Sequence, residues 1–476
     1  MLLTDISKHI NCEKIYDLKE NKLRFYNIFS NSKNNNKNSI FFIDKKVRLK
    51  KLYIEESIKN GAIAIITNSY IKNINIPQFL VKDIENSIYK LLNKLKPNKP
   101  LNSLAVTGTN GKTSVVSYVS QICFYNKMPC KANGTLGYYI NNKKRNDFSL
   151  TTPESEILYQ TAFSKRRNLY NYVFEASSHA IDQRRLKYLS VNIAAITNIS
   201  KDHLDYHQNF NNYKKIKYKL FLNELNKYGY AILNNNIVGI DKLKKKLINK
   251  NIITYGNNKS NINISKKING YTLKFFNKKL ILNFNSLSRI EIENLSCAIA
   301  CCFCLDLEIS QILKGLKNII NPSGRLENIY DKEFKIFIDY AHTPDALKKI
   351  LIDKKNRNKK PNIVFGCGGN RDSSKRSVMG EIANKYANKV YITDDNPRDE
   401  NPSKIRKTIL LKCKKGIEIP DRKKAIYQAI KELKKNKTLI IAGKGHEKIQ
   451  IYNKNKYKKF VDAEIAKKIL KKKIVN

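Results

Sequence analysis

Apolar and polar positions divide the chain into three stretches. In residues 1–100 the apolar runs are short and strand-sized: SIFFI (39–43), AIAIITN (62–68) and QFLV (78–81). They give way to the Lys/Pro/Asn connector LNKLKPNKPLNS at 92–103. From 101 to 322, apolar runs at Leu104–Thr107, Tyr172–Phe174, Ile193–Thr197 and Tyr230–Leu233 alternate with helix-like stretches, and each of the first three ends in a polar turn. Short apolar runs bounded by turns read as buried strands, and their alternation with helices predicts a mostly parallel sheet. Residues 251–288 break this rhythm with short alternating runs and Asn/Gly turns, which predicts an antiparallel flap. NPSGR (321–325) is a turn-rich boundary. Beyond it KIFIDY, NIVFGC, KVYITD and TLIIAG each precede a helix-like stretch, predicting a second, Rossmann-like α/β domain. The expected class is α/β, with domains at 1–100, 101–322 and 323–476. No internal repeat is present.

Composition changes this picture little. No apolar run approaches the roughly 18–20 residues that cross a bilayer. The N-terminal MLLTDISKHINCEKIYDLKE lacks the apolar segment of a signal peptide, so a cytoplasmic protein is expected. The nine cysteines are odd in number, and Cys123, Cys130, Cys367 and Cys413 lie far apart. Cys297, Cys301, Cys302 and Cys304 share the apolar, helical run IENLSCAIACCFCLDL with no histidine nearby, which favours small core residues over a zinc site. The formal net charge is +51, but lysine and asparagine are spread along the whole chain rather than gathered in one arm. Solvated lysines on most outer faces account for that pattern, and a basic surface favours anionic substrates such as nucleotides. Neither a nucleic acid nor a membrane partner is expected, and the protein is expected to be a monomer.

The scarce residues point to chemistry. Of six histidines, His179, His203, His207, His342 and His446 fall at or just after the C-terminal ends of predicted strands, where open α/β sheets place ligands. Of 18 glycines, Gly108, Gly111, Gly366, Gly368, Gly369, Gly443 and Gly445 sit in three strand-to-loop turns. GTNGKTS (108–114) joins a strand to an apolar helix. Amides at a helix N-terminus bind phosphate, Lys112 supplies a cation, and Thr113 can ligate Mg²⁺. Val106 stands where the full GxxxxGKT pattern has its first glycine. In EASSHAIDQRR (175–185), Glu175 can ligate Mg²⁺ and Arg185 can clamp an anion; a polar helix start is the plainer alternative. TNISKDHLDYH (197–207) sets a histidine between aspartates, ahead of a helix with Lys214, Lys215, Lys217 and Lys219, a metal or phosphate site or else a solvated face. DYAHTPDAL (339–347), FGCGGNRD (365–372), DDNPRDENP (394–402) and AGKGHE (442–447) each follow a strand, and Arg371, Arg398 and Glu447 together can read a zwitterion.

These segments, with TTPES (151–155), GRLE (324–327) and the extended GCGGNRDSSKRSVMG, resemble the Mur ligases in order and spacing from about residue 100 to 450. The resemblance implies three domains: an N-terminal UDP-binding domain, a central ATPase domain with a P-loop-type parallel sheet, and a C-terminal Rossmann-like domain. It implies an ATP-dependent ligase of peptidoglycan precursor synthesis that joins a diamino acid to the D-glutamyl carboxylate of a UDP-muramoyl dipeptide through an acyl phosphate. Gly108, Thr109, Asn110, Gly111, Lys112, Thr113 and Ser114 would hold ATP, with Asn294, Arg325, Asp339 and His342 near the nucleotide. Thr151, Thr152, Ser177, Gln183 and Arg185 would bind the dipeptide substrate, with Ser32 at the uridine. Thr113, Glu175, His203 and Lys217 would hold Mg²⁺, Lys217 as a CO₂-derived carbamate. Arg371, Asp395, Asn396, Pro397, Arg398, Gly443 and Glu447 would form the amino-acid pocket, where DNPR resembles the form that adds meso-diaminopimelate rather than lysine.

The chain departs from the family in places. Asn31-Ser32-Lys33 replaces a DSR-type motif, and DKKVRLKK replaces a Gly-Asp-Gly-rich loop. Ala176 and Ala180 stand for Val and Gly, and Asn235 and Asn236 fall in an Asn-Ala-Asp stretch. Three other readings remain: a folylpolyglutamate synthetase, which shares the phosphate loop without needing DNPR; a nucleic-acid-binding P-loop ATPase; and a ligase that binds substrate without catalysis.

Overall fold

The computed structural model describes residues 1–18, 22–48, 50–268, 270–284, 287–354, 359–453 and 456–475, with the backbone alone at 472, 474 and 475. The chain is mixed α/β and divides into two compact units. One comprises Met1–Ala105, Met128–Ile193 and Glu224–Asn226; the other comprises Val106–Lys127, Ala194–Asn223 and Lys227–Asn476. Among the described residues no helix is long and apolar enough to cross a membrane.

In the first unit, the three apolar runs of the N-terminal stretch become parallel strands Ser39–Ile43, Ala62–Thr67 and Gln78–Leu80. Asn27–Phe29 adds in parallel at one edge and Lys14–Tyr16 antiparallel at the other, giving five strands. The helix Ile84–Leu95 buries Ile88, Leu91, Leu92 and Leu95, the i, i+3, i+4, i+7 stripe that an amphipathic helix presents to a core. The unit also holds the parallel pair Asn171–Glu175 and Cys130–Gly134, followed by an antiparallel extension through Gly137–Ile140 and Lys143–Asn146.

In the second unit, the strand Leu225–Asn234 pairs in parallel with Asn251–Tyr255. The expected antiparallel flap over 251–288 is therefore corrected at its start. Asn251–Tyr255 extends the parallel sheet, and only Ile262–Lys267, Gly270–Phe275 and Lys278–Leu282 form an antiparallel meander. Period-two burial reads alike for both arrangements, so pattern alone does not give strand direction. The cysteine-rich run is the helix Arg289–Cys304, opened by a Ser288/Glu291 capping box, and its four cysteines are buried free thiols.

The C-terminal stretch is a six-stranded sheet. Lys335–Asp339, Thr438–Ala442, Asn362–Phe365, Val390–Ile392 and Gly416–Glu418 run parallel in that spatial order, and Glu327–Asp331 joins antiparallel at one edge. Its strands are apolar on both faces. Ile363, Phe365, Ile440 and Ala442 pack with the helices Pro344–Asp353, Lys375–Tyr386 and Pro402–Leu410. Val364, Leu439 and Ile441 pack with Arg422–Lys431 and Asp462–Val475. This two-faced wrapping is the Rossmann-like arrangement, and it leaves the loops after the parallel strands at one edge.

Candidate active site

The loop Gly108–Ser114 leaves the strand Ser103–Thr107 and enters the helix Lys112–Tyr125 through Gly111, which caps the helix in left-handed conformation (φ 87°). A Cβ at Gly111 would lie 2.4 Å from Asn294 Oδ1, and one at Gly108 would lie 1.9 Å from Thr197 Oγ1, so the loop backbone is close-packed where no side chain fits. Thr109 N and Asn110 N donate to the carbonyl and side-chain oxygens of Asn198 at 2.9 and 3.0 Å. Lys112 Nζ folds back onto the carbonyls of Gly108 and Thr109 at 2.8 and 2.9 Å. The first-turn amides of the helix have no intrahelical acceptor, which makes the loop an anion site. Asn110, Gly111, Asn294, Arg325, Asp339 and Tyr340 line one cavity. Arg325 stacks 4.3 Å over the Tyr340 ring and donates to Thr113 Oγ1 at 3.3 Å, while its Nε and the Nδ2 of Asn110 are buried without a protein partner. Unsatisfied donors beside a phosphate-type loop fit a nucleotide. Asp339 serves the fold first: it accepts from Leu326 N and Ala341 N at 2.8 Å each. His342 Nδ1 lies 2.9 Å from the Tyr340 carbonyl, and desolvation lowers its pKa from the ordinary imidazole value.

Behind the loop, Lys217 is 1% exposed and donates to the Gly108 carbonyl at 2.9 Å. Of the four neighbouring lysines it is the buried one; Lys214 reaches the Val238 carbonyl at 2.9 Å, and Lys215 and Lys219 are exposed. Burial, then the charge of Lys112, drives the Lys217 amine well below the ordinary lysine range. His203, in left-handed conformation, stands 3.4 Å from Asp202 through Nε2. Burial pushes the Asp202 carboxyl up, but His203, His342, Lys375 and Lys112 together bring it below its ordinary value. Among the described residues no three His, Cys, Asp or Glu side chains group as a metal cage.

In the first unit, the strand Asn171–Glu175 delivers Glu175, 1% exposed, onto Thr135, whose amide and hydroxyl donate to the carboxylate at 2.8 and 3.2 Å. Gly134 makes room, since a Cβ there would meet Glu175 Oε1 at 2.3 Å. With its one hydrogen on the carboxylate, Thr135 Oγ1 accepts from the Thr151 hydroxyl at 3.1 Å. Thr152 donates to the Glu175 carbonyl at 2.6 Å and accepts from Ser177 N at 3.0 Å. Arg185 donates to the Thr152 carbonyl at 2.7 Å and to Gln183. Thr151, Thr152, Glu175, Ser177, Gln183 and Arg185 are thus one hydrogen-bonded constellation. Ser32 stands apart: it is 4% exposed and bonded to Glu56. Ser30, which the sequence reading passed over, instead shares a cavity with Gln183, Arg185 and Glu154, its amide donating to Glu156 at 2.8 Å.

Within the C-terminal sheet, the loops 366–371, 393–401 and 443–448 meet. Arg398 is left-handed (φ 52°) and donates to the Gly369 carbonyl at 2.8 Å. Gly369 N donates to the Asn396 carbonyl at 2.9 Å, and Asn396 Nδ2 donates to Glu447 at 2.7 Å. A Cβ at Gly443 would lie 2.7 Å from Asp395, at Gly369 1.9 Å from the Pro397 carbonyl, and at Gly368 2.8 Å from Arg398 and 3.9 Å from Arg371. All seven residues expected at the amino-acid pocket therefore gather here. Lys444, missed although it lies inside AGKGHE, is 0% exposed and central to the cluster.

Residues 106–302 match the Mur ligase middle domain, and residues 324–445 match the Mur ligase, glutamate ligase domain. The UDP-N-acetylmuramoyl-L-alanyl-D-glutamate--2,6-diaminopimelate ligase of Rickettsia conorii is 40% identical over 436 residues, 88% of this chain and 90% of the relative. The chain belongs to the Mur ligase family. A solved structure of a UDP-N-acetylmuramoyl-L-alanyl-D-glutamate--2,6-diaminopimelate ligase aligns over 94% of this chain and 95% of its own, with 28% identity and TM-score 0.61. The MurF ligase of Thermotoga maritima, solved in complex with ADP, shares the fold at TM-score 0.68 and 16% identity, over 95% of this chain and 98% of its own. The family matches cover the loop Gly108–Ser114, the Glu175 constellation and all six strands of the Rossmann-like sheet. The N-terminal stretch, where the motifs depart most, lies outside both.

Proposed function

We propose that this Mur ligase adds meso-diaminopimelate to the D-glutamyl residue of UDP-N-acetylmuramoyl-L-alanyl-D-glutamate, with conversion of ATP to ADP and phosphate. The observation that carries the reading is the clustering of Arg398, Asn396 and Glu447 within hydrogen-bonding reach of shared partners in a relative of the diaminopimelate ligases. Arginine and amide N–H groups suit a carboxylate and the glutamate an ammonium, so the pocket matches a zwitterionic distal end. We assign three domains, 1–100, 101–322 and 323–476, and place the protein in the cytoplasm as a monomer.

The D-glutamyl carboxylate attacks the γ-phosphorus of ATP, forming an acyl phosphate as the bond to ADP breaks. The first-turn amides, and Lys112 once it turns from the loop carbonyls, would meet the oxygens on which charge accumulates. Thr113, His203 and carbamylated Lys217 would hold Mg²⁺, which would supply further positive charge to the phosphoryl oxygens, the carbamate giving this small set an anionic oxygen ligand; Glu175, in the other unit, is a candidate metal ligand by its chemistry. The neutral Lys217 amine that burial favours is the form that attacks CO₂, losing a proton as the carbamate forms. Thr151, Thr152, Ser177, Gln183 and Arg185 orient the muramoyl dipeptide. The neutral amine of the diamino acid, held by Arg371, Arg398, Asn396 and Glu447, then attacks the acyl carbon, and the tetrahedral adduct gives up the nitrogen's proton to solvent or the departing phosphate and expels phosphate to leave the amide.

ADP release by purified protein with ATP, Mg²⁺ and the UDP-linked dipeptide tests the reading. Turnover with meso-diaminopimelate and not with L-lysine is expected. Turnover with lysine would keep the ligase and overturn the pocket assignment, and silence with both would overturn the activity.

A further inference from the structure

Lys444 lies between Gly443 and Gly445 at 0% exposure. Its Nζ donates to Asn396 Oδ1 at 3.0 Å, Glu447 Oε2 at 2.9 Å and the Ile449 carbonyl at 2.7 Å. An ammonium has three N–H donors, so all three are used inside the protein and none remains for a ligand. Ile451 N also donates to Asn396 Oδ1, at 3.0 Å. Two donors on one oxygen fix the amide: Oδ1 faces the lysine, and Nδ2 turns to Glu447 Oε2 at 2.7 Å. That carboxylate oxygen accepts from both Lys444 and Asn396, which leaves Oε1 outside the network on a side chain that is 27% exposed.

We propose that Lys444 is a positioning residue that sets the polarity of the acceptor pocket. It forces Asn396 to present an N–H donor and Glu447 to present a carboxylate oxygen. That pair complements a diamino acid whose distal carbon carries both a carboxylate and an ammonium. Lysine, whose distal end carries an ammonium alone, gives the second amide hydrogen, the one not donated to Glu447, nothing to bond, and a buried donor left unpaired is penalised. Without Lys444 the amide is free to invert and offer its carbonyl oxygen, so discrimination between the two amino acids falls. The inference rests on reading this pocket as the diamino-acid site.

The test is steady-state ADP release by the full-length protein with meso-diaminopimelate and with L-lysine. K444M is expected to raise KM for diaminopimelate at least ~10-fold and to lower the diaminopimelate-to-lysine ratio of kcat/KM by a similar factor, with KM for ATP unchanged. N396D keeps an acceptor for Lys444 but replaces the amide donor with a charged carboxylate oxygen facing Glu447, so it reads the loss of the donor if K444M does not fold; a loss of discrimination at least as large is expected. In an N396A background K444M should add little. An unchanged ratio in K444M, or in N396D where K444M is not folded, would overturn the role of Lys444 while the ligase reading stands. No turnover in the unaltered protein would overturn both.

Discussion

Lys217 Nζ donates to the carbonyl of Gly108 at 2.9 Å, from a side chain that is 1% exposed. The loop on one side and the Tyr213 ring, 4.5 Å away, on the other leave the amine dry, and its pKa falls well below the ordinary value. The folded amine therefore holds its proton less tightly than the unfolded one, whose pKa is about 10.4. Between the two values the unfolded state binds more protons, so stability falls as pH is lowered from about 10.4 toward the folded value. In CO₂-stripped buffer K217M removes that penalty: the melting temperature near neutral pH rises, and its alkaline pH dependence flattens. Turnover is expected to fall at least ~100-fold if Lys217 carries the proposed metal-binding carbamate. Intact-protein mass with and without bicarbonate, alongside ADP release, checks the assignment; a K217M variant with parental turnover would remove it.

Gly108 has φ 142° and no room for a Cβ, which would sit 1.9 Å from Thr197 Oγ1. Thr197 cannot easily retreat, because its hydroxyl donates to the Asn110 carbonyl at 2.5 Å. G108A is expected to destabilise the protein by ~2–3 kcal/mol through this overlap and the unfavourable backbone angle. Thermal unfolding with and without ADP measures it, and nucleotide-induced stabilisation should shrink in the variant. A G108A protein of parental stability that still gains stability from ADP would show that the loop relaxes.

How much of this was legible in sequence follows from physical scale. Gly108, Lys112 and Glu175 sit on local strand–turn–helix units whose apolar pattern and turn residues are written in neighbouring positions. The buried cysteines of Arg289–Cys304 were legible for the same reason. The parallel pairing of Asn251–Tyr255 was not, because strand direction is set by a partner about twenty residues earlier. Lys444 was passed over because Asn396, the acceptor that ties it to the DNPR loop, lies 48 residues away in sequence, and a lysine in a chain this rich in them carries no local signal. The same holds for the four lysines 214, 215, 217 and 219, which only burial separates.

Arg398 adopts φ 52°, and its Nη1 donates to the carbonyls of Gly369 at 2.8 Å and Asn396 at 3.4 Å. An arginine held in the left-handed region costs ~1–3 kcal/mol and persists where the surroundings over-determine it, which fits a residue aimed at a ligand. R398A should raise KM for the diamino acid by ~10–100-fold and leave KM for ATP within a factor of two, since a charge-assisted contact to a carboxylate is lost. Steady-state kinetics with each substrate varied in turn decides it; unchanged amino-acid kinetics would sink the role.

The loops carrying Arg371 and Arg398 are tied to each other by a third arginine. Arg376, 6% exposed in its side chain, grips Glu400 through both terminal nitrogens at 2.9 Å each. Glu400 also accepts from Asn370 N at 2.5 Å, and Arg376 Nη2 reaches the Gly368 carbonyl at 3.3 Å. One ion pair thus fixes the glycine loop against the DNPR loop, and with it the spacing of the two arginines proposed for the amino-acid pocket. Arg376 holds the Glu400 carboxyl below its ordinary range, so the pair stays ionised throughout neutral pH. E400Q keeps the shape and one acceptor but removes the charge. A rise of ~3–10-fold in KM for the diamino acid is expected, with kcat and ATP kinetics little changed, because positioning rather than contact is lost. The same substitution in an R398A background should cost much less, since the clamp then has little left to position; a full, additive loss there would show that Glu400 acts on the pocket by another route.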